Sequence, residues 1–293
     1  MTPTQTERKA LARLLDLARE EDLGPGDVTS SLLPRGASVR GRFVTRQELV
    51  LCGGVFLADI ARAYAATIQS RAEAEDGEAV ASGTCVAEWA GPASAVLPAE
   101  RVALNFLQRL SGIATLTRQY VEAVAGTQAA IYDTRKTAPG WRALEKYAVR
   151  AGGGENHRMG LHDAVLVKDN HLAILGGKID GDGLGKALES VRGRLPEGGF
   201  IEVEVDTLDQ LAAVLELPVD VILLDNMTVE ELRQAVTMRD EAAGGRSVVL
   251  EASGGITLDN VRRVAETGVE RIAVGALTHS AVAVDIGMDI DTA

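Results

Sequence analysis

Four cations stand where a plain surface charge has no obvious reason to be. Arg135 and Lys136 come just after the apolar run 129–132, Arg158 lies close to Gly152-Gly153-Gly154, and Lys168 ends the run 164–167. Planar guanidiniums grip carboxylates through paired hydrogen bonds and an ammonium adds a point charge, so this set suits a small polyanion, a dicarboxylate or a phosphate ester. Residues 134–171 carry seven Lys or Arg against four acids, in a chain of net charge -12. The acidic whole repels a phosphodiester backbone and excludes a general nucleic-acid binder, so the cations belong to a local site. His157, among charged and glycine neighbours, reads as a hydrogen-bond partner of the same anion. Arg142, Lys146 and Arg150 read instead as the solvated face of a helix over 139–149.

Two glycine-bearing turns, Ser253-Gly254-Gly255 and Val274-Gly275-Ala276, follow later apolar runs and could cradle a phosphate with backbone N–H groups; each alone is equally a tight strand-to-helix turn. Glu204 and Asp225 either hold Mg²⁺ together with substrate phosphates or pair with Arg135 or Lys168. Glu202 shares a strand face with Glu204, which a carboxylate pair tolerates only in a polar mouth. Gly181-Asp182-Gly183-Leu184-Gly185-Lys186 lacks the spacing and hydroxyl of a phosphate loop and is expected to be a flexible loop. Cys52 and Cys85 form no metal or disulfide pattern and read as core thiols. No Ser/His/Asp, Cys/His or H-E-x-x-H arrangement supports a nucleophilic or zinc-hydrolase mechanism.

The elements that must position these residues fall into two grammars. An amphipathic helix opens the chain and stops at Gly24-Pro25-Gly26. Short runs at 42–45, 48–52 and 84–89, with a helix near 55–68, predict mixed α and β; a long helix is expected over 98–124. Beyond Gly126, apolar runs at 129–132, 164–167, 201–205, 219–224, 248–250 and 271–274 alternate with helices, notably at 206–215, 228–242 and 257–267. Repeated strand-helix units imply a parallel sheet, and about six of them favour a closed or nearly closed α/β barrel whose chemistry sits at the carboxyl ends of the strands. No apolar stretch is long enough for a membrane span and no signal peptide is evident, so the expected location is cytoplasmic.

The block Asp133-Thr-Arg-Lys-Thr-Ala-Pro-Gly-Trp-Arg, then Glu145-Lys-Tyr-Ala-Val-Arg, Gly152-Gly-Gly-Glu-Asn-His-Arg-Met-Gly-Leu and Leu166-Val-Lys-Asp-Asn-His resembles the quinolinate phosphoribosyltransferases. The likeness runs from Glu21 through Ala99-Glu-Arg-Val-Ala-Leu-Asn-Phe-Leu to the Ser253 and Val274 turns. Departures are slight: Ala151 stands where Cys is common and Ala138 where Thr is common, and 176–185 looks like a loop insertion. The resemblance implies an N-terminal α/β sandwich domain over 1–115, to which 277–293 return, and an open α/β barrel phosphoribosyltransferase domain over 116–276. It implies a homodimer that joins quinolinate to phosphoribosyl pyrophosphate with Mg²⁺, releasing pyrophosphate and CO₂. On it, Thr134, Arg135, His157, Arg158 and Lys168 resemble the quinolinate cage, with Arg101 reaching in from the other subunit. Lys136, Glu204 and Asp225 resemble the contacts to ribose, metal and pyrophosphate, and Ser253, Gly254, Gly255, Val274, Gly275, Ala276 and His279 the phosphate cradle. Two other readings are a paralogous pyrophosphorylase-like protein of the molybdenum-transport type and a noncatalytic binding module for a phosphorylated metabolite. Persistence of Arg101, Arg135, Arg158 and Lys168 argues against the first, and of Glu204 and Asp225 against the second.

Overall fold

The computed structural model describes residues 1–174, 181–242 and 248–292, which form two compact units. The first comprises Met1–Arg118, Lys136–Gly154 and Leu277–Ala293, the second Gln119–Arg135 and Glu155–Ala276. In chain order the elements begin with α1 (Gln5–Leu23), β1 (Ser38–Thr45), β2 (Leu49–Val50), α2 (Leu57–Tyr64), β3 (Gln69–Ala72), β4 (Ala79–Val80), β5 (Cys85–Pro92) and α3 (Ala93–Ala123). There follow β6 (Ala130–Tyr132), α4 (Arg142–Ala151), β7 (Val165–Val167), α5 (Asp169–Ile174), α6 (Gly181–Arg192), β8 (Ile201–Val205) and α7 (Leu208–Leu215). The chain ends with β9 (Val221–Asp225), α8 (Val229–Ala242), β10 (Val249–Ser253), α9 (Val261–Ala265), β11 (Arg271–Ala273), α10 (Ala276–His279) and β12 (Ile286–Thr292).

In the first unit, Thr4 opens α1 with a reciprocal cap: its Oγ1 accepts the Glu7 N–H at 3.3 Å while the Glu7 carboxylate accepts the Thr4 N–H at 2.6 Å. Leu11 and Leu15 bury the inner face of α1, and Gly24 closes it at φ 47°. The sheet runs β12-β1-β5-β3, all antiparallel, with Phe43 and Trp89 edge to face at 5.0 Å in its core. Helix α3 starts five residues before the expected Pro98, which therefore lies inside it and withholds a backbone N–H. Cys52 is buried as expected, whereas Cys85 is half-buried.

Helix α4 is not a solvated face. Lys146 is fully buried, and Arg150 reaches the buried Glu7 at 2.7 Å across the Tyr147 ring. Arg142 is half-buried and donates to Thr137 Oγ1. Tyr147 donates to Asp76 Oδ2 at 2.7 Å, so the helix is pinned on several sides rather than laid on the surface.

The second unit carries the parallel sheet β6-β11-β10-β9-β8-β7, open between β6 and β7. Its central strands β8, β9 and β10 are buried nearly throughout, as two covered faces require. Two sequence expectations fail here. Residues 181–186 begin α6 rather than a loop, because Leu184 and Leu188, one turn apart, both bury; residues 176–180 of the expected insertion lie outside the described residues. The helix expected over 257–267 shrinks to α9, because Asn260 spends its side chain on the turn, accepting the Thr257 N–H and donating to the Gly255 carbonyl.

Candidate active site

Parallel register sets heights within the second unit. Asp225, Ser253, Ala273 and Tyr132 are aligned across β9, β10, β11 and β6. One residue pair lower lie Glu204, Leu223, Glu251 and Arg271, and lower again Glu202, Val221 and Val249. Alternation puts these two-apart residues on one face of the sheet. Leu166 pairs with Glu202, so Lys168 emerges from β7 beside Glu204, and the two form an ion pair. Thr134 and Arg135 follow β6, and Val274, Gly275 and Ala276 follow β11. Thus the carboxyl ends of the strands gather Arg135, Lys168, the two carboxylates and both glycine turns at one rim of this unit.

Asp133, fully buried, organises the stretch that carries His157 and Arg158. Glu155 bridges Tyr132 like a short added strand, and the Asp133 carboxylate then accepts the Asn156 side-chain amide at 2.7 Å and the His157 N–H at 2.9 Å. His157 and Arg158 are each only 9% exposed. Both ring nitrogens of His157 are turned inward: Nδ1 accepts the Arg158 N–H at 2.8 Å, and Nε2 lies 2.8 Å from Glu202 and 3.5 Å from Glu251. Asp163 holds the next turn by accepting the N–H groups of Met159 and Gly160.

Charge follows from this packing. Burial and the adjacent Arg135 pull the Arg158 guanidinium below its ordinary value, with Glu202 and Asp163 opposing. Burial pushes Asp163 up, but the N–H groups of Gly160 and Met159 outweigh it and hold the carboxyl below its ordinary value. Burial and the neighbouring Glu202 raise Glu251 well above the carboxylate range. Glu202 is fully buried within the sheet and not in a polar mouth, as its spacing from Glu204 suggested; the His157 ring covers it.

Glu204 and Asp225 are half-buried carboxylates on neighbouring strands and the same face, the hard oxygen donors that Mg²⁺ takes. His157, Glu202 and Glu251 also bring three ligand-type atoms within 4.8 Å of one another. That set does not suit a cation, because an Nδ1 that accepts a hydrogen bond leaves the proton on Nε2.

The glycine turn after β10 interlocks with Asn226, which follows β9. Asn226, the only non-glycine residue of positive φ among the described residues, donates its N–H to the Ser253 carbonyl at 2.8 Å. Gly254, at φ 93°, lies so close that a Cβ there would fall 2.1 Å from Asn226 Oδ1.

Comparison with known proteins accounts for this arrangement. Residues 113–289 match the family model of the quinolinate phosphoribosyl transferase C-terminal domain, and 27–111 that of the N-terminal domain. The chain belongs to the quinolinate phosphoribosyltransferase family. It is 45% identical to the nicotinate-nucleotide pyrophosphorylase [carboxylating] of Mycobacterium leprae, over 93% of this chain and 94% of that one. To the probable enzyme of that name in Bacillus subtilis it is 40% identical, over 96% and 93%. The nicotinate-nucleotide pyrophosphorylase structure from Francisella tularensis superimposes with a TM-score of 0.88 at 35% identity, over 97% of this chain and 96% of that one. The Ehrlichia chaffeensis structure gives 0.86 at 37%, over 99% and 100%.

Within this phosphoribosyltransferase chain, three of the expected residues fall in the first unit. Arg101 is exposed and lines a hollow with Asp22, Asp27, Ser30 and Pro98. Lys136 is exposed, its carbonyl accepting the Thr278 hydroxyl at 2.7 Å, and His279 is exposed with its Nδ1 2.7 Å from Ser280 Oγ. Sequence reasoning did not single out Asp133, Glu202 or Glu251 as working together, because their contacts join distant strands. The available signal was parity: Glu251 precedes Ser253 by two, as Glu202 precedes Glu204.

Proposed function

We propose that the chain transfers phosphoribosyl from phosphoribosyl pyrophosphate to quinolinate with decarboxylation, yielding nicotinate mononucleotide, pyrophosphate and CO₂ for NAD biosynthesis. The observation that carries this reading is the buried Arg158 held against the charge of Arg135, a repulsion that a bound dianion relieves. Thr134, Arg135, His157, Arg158 and Lys168 form the quinolinate cage, and Arg101 enters from the second subunit of a cytoplasmic homodimer. Lys136, Glu204 and Asp225 meet ribose, metal and pyrophosphate, while Ser253, Gly254, Gly255, Val274, Gly275, Ala276 and His279 cradle the phosphate.

The ring nitrogen of quinolinate attacks the anomeric carbon as the bond to pyrophosphate breaks, building positive charge on the ribose that Glu204 and Asp225 are placed to offset. A quinolinate carboxylate arriving at Lys168 competes with Glu204 for the ammonium, freeing Glu204 to face the ribose. Mg²⁺, held by Glu204 and Asp225, would neutralise charge on the departing pyrophosphate. The carbon–carbon bond to the 2-carboxylate then breaks, its electron pair remaining beside the cationic ring nitrogen until a proton replaces CO₂. The cage has only to hold that geometry and exclude water. Incubation with quinolinate, phosphoribosyl pyrophosphate and Mg²⁺, with nicotinate as a competing substrate, tests the reading. Mononucleotide formed with equimolar CO₂ is expected; turnover of nicotinate alone overturns it.

A further inference from the structure

Two buried carboxylates have no part in the reaction as drawn. Glu202 and Glu251 are fully buried, and none of their four oxygens has an aligned hydrogen-bond donor among the described residues. Buried carboxylates in that condition are costly unless something else uses their charge. Both face the Nε2 edge of His157, whose other nitrogen accepts the Arg158 backbone N–H. A neutral imidazole has a single N–H; with Nδ1 accepting, that proton sits on Nε2, the nitrogen that lies beside the two carboxyl groups.

We propose that Glu202 and Glu251 are positioning residues for quinolinate binding: they fix His157 as the Nε2–H tautomer, so that Nδ1 anchors the Arg158 backbone and the root of its guanidinium. Without the carboxylates the ring is free to carry its proton on Nδ1, where it would oppose the Arg158 N–H and release that segment. The other charged groups around the pair are consistent with this use. Asp133 holds the His157 N–H from the β6 side, and Arg271, stacked on Tyr132 at 4.7 Å and Phe200 at 5.5 Å, is in register with Glu251 on β11. Arg158 feels the charge of Glu202 directly. The inference rests on the reading of Arg158 as a quinolinate ligand, and adds to it residues that never touch the substrate.

The test uses the full-length enzyme with ¹⁵N-labelled histidine. The His157 signals of the native protein are expected to be those of the Nε2–H tautomer. Glu202→Leu removes an acceptor and should lose that signature and raise the quinolinate KM roughly tenfold, the size of one net hydrogen bond. It should leave kcat and the KM for phosphoribosyl pyrophosphate within about twofold. Glu202→Gln keeps an acceptor oxygen and should restore most of the affinity. In an Arg158→Ala background, adding Glu202→Leu should leave the quinolinate KM where Arg158→Ala put it. An Nδ1–H tautomer in the native enzyme, additive KM losses in the double variant, or a folded Glu202→Leu with native quinolinate KM each overturns the proposal. If Glu202→Leu does not fold, the native spectrum and Glu202→Gln decide: a Gln variant with the native tautomer but a tenfold KM loss also overturns it. A native enzyme that ignores quinolinate instead sinks the functional reading, and the spectrum then judges the tautomer alone.

Discussion

Arg158 and Glu251 are opposite cases of one physical fact, that burial penalises charge, and each gives a measurable expectation. Arg158 keeps its charge at a cost set by burial and by Arg135. Arg158→Ala should therefore weaken quinolinate binding by about 2 kcal/mol or more, the range for charge-assisted hydrogen bonds, while the folded state loses little or even gains stability. Steady-state KM together with thermal melting checks both halves; a large stability loss with native KM would contradict them. Glu251 does the reverse. Its folded pKa lies above the ordinary 4.5, so the folded chain holds that proton more tightly than the unfolded one. Stability from this group is complete below about pH 4.5 and is lost as pH rises through the folded value. Glu251→Gln escapes that loss, so its melting temperature should gain on the native protein as pH rises above about 4.5; a constant offset would refute the assignment. Arg135, Arg158 and Lys168 could be picked out as candidates from residue type and position alone. What surrounds Arg158 could not, since Asp133 and His157 come from loop segments and Glu202 and Glu251 from two strands, brought together only by register.

Elements were legible where apolar periodicity was clean, as in β8 and α8, and illegible where side chains bonded locally or glycine misled. Gly181, Gly183 and Gly185 hid a helix whose apolar stripe, Leu184 and Leu188, was present in the sequence; Asn260 delayed α9 by tying itself to the turn. Lys146 and Arg150 suggested solvent because their spacing is helical, yet the partners that bury α4, such as Glu7 and Asp76, come from far along the chain. The two glycines of the turn after β10 divide in the same way. Gly254 is required twice, by its φ of 93° and by the approach of Asn226, whereas Gly255, at φ 60°, has open space for a Cβ. Gly254→Ala should cost roughly 1–3 kcal/mol of stability and raise the KM for phosphoribosyl pyrophosphate, while Gly255→Ala should affect both less. Denaturant titration and initial rates on the two variants separate a cradle set by close packing from one needing only flexible backbone.

At the scale of the whole molecule, the proposed completion of the site by a second copy makes a quantitative claim. Arg101→Ala and Arg135→Ala should each be inactive alone, yet mixing them under exchange should recover about a quarter of native activity, because each mixed dimer regains one of its two sites. No recovery, with exchange verified by mass, would place Arg101 outside the partner's site. Chelation of Mg²⁺ should abolish turnover and leave thermal melting nearly unchanged, since Glu204 already has Lys168 as a partner. The parallel sheet could be read from repeating strand-helix units. The return of 277–293 to the N-terminal domain came from the family resemblance, whereas no local pattern marks β1 and β12, about 240 positions apart, as paired strands.

That pairing has a consequence for how the protein is made. On the ribosome, β1 can find β5 on one side soon after both emerge, but the partner for its other edge is translated about 240 residues later. At about 5–20 residues per second the exposed edge waits on the order of 10–50 s, with its backbone groups open to any passing strand. The nascent chain thus carries a half-finished sheet throughout that interval, and a product truncated before β12 should aggregate rather than fold.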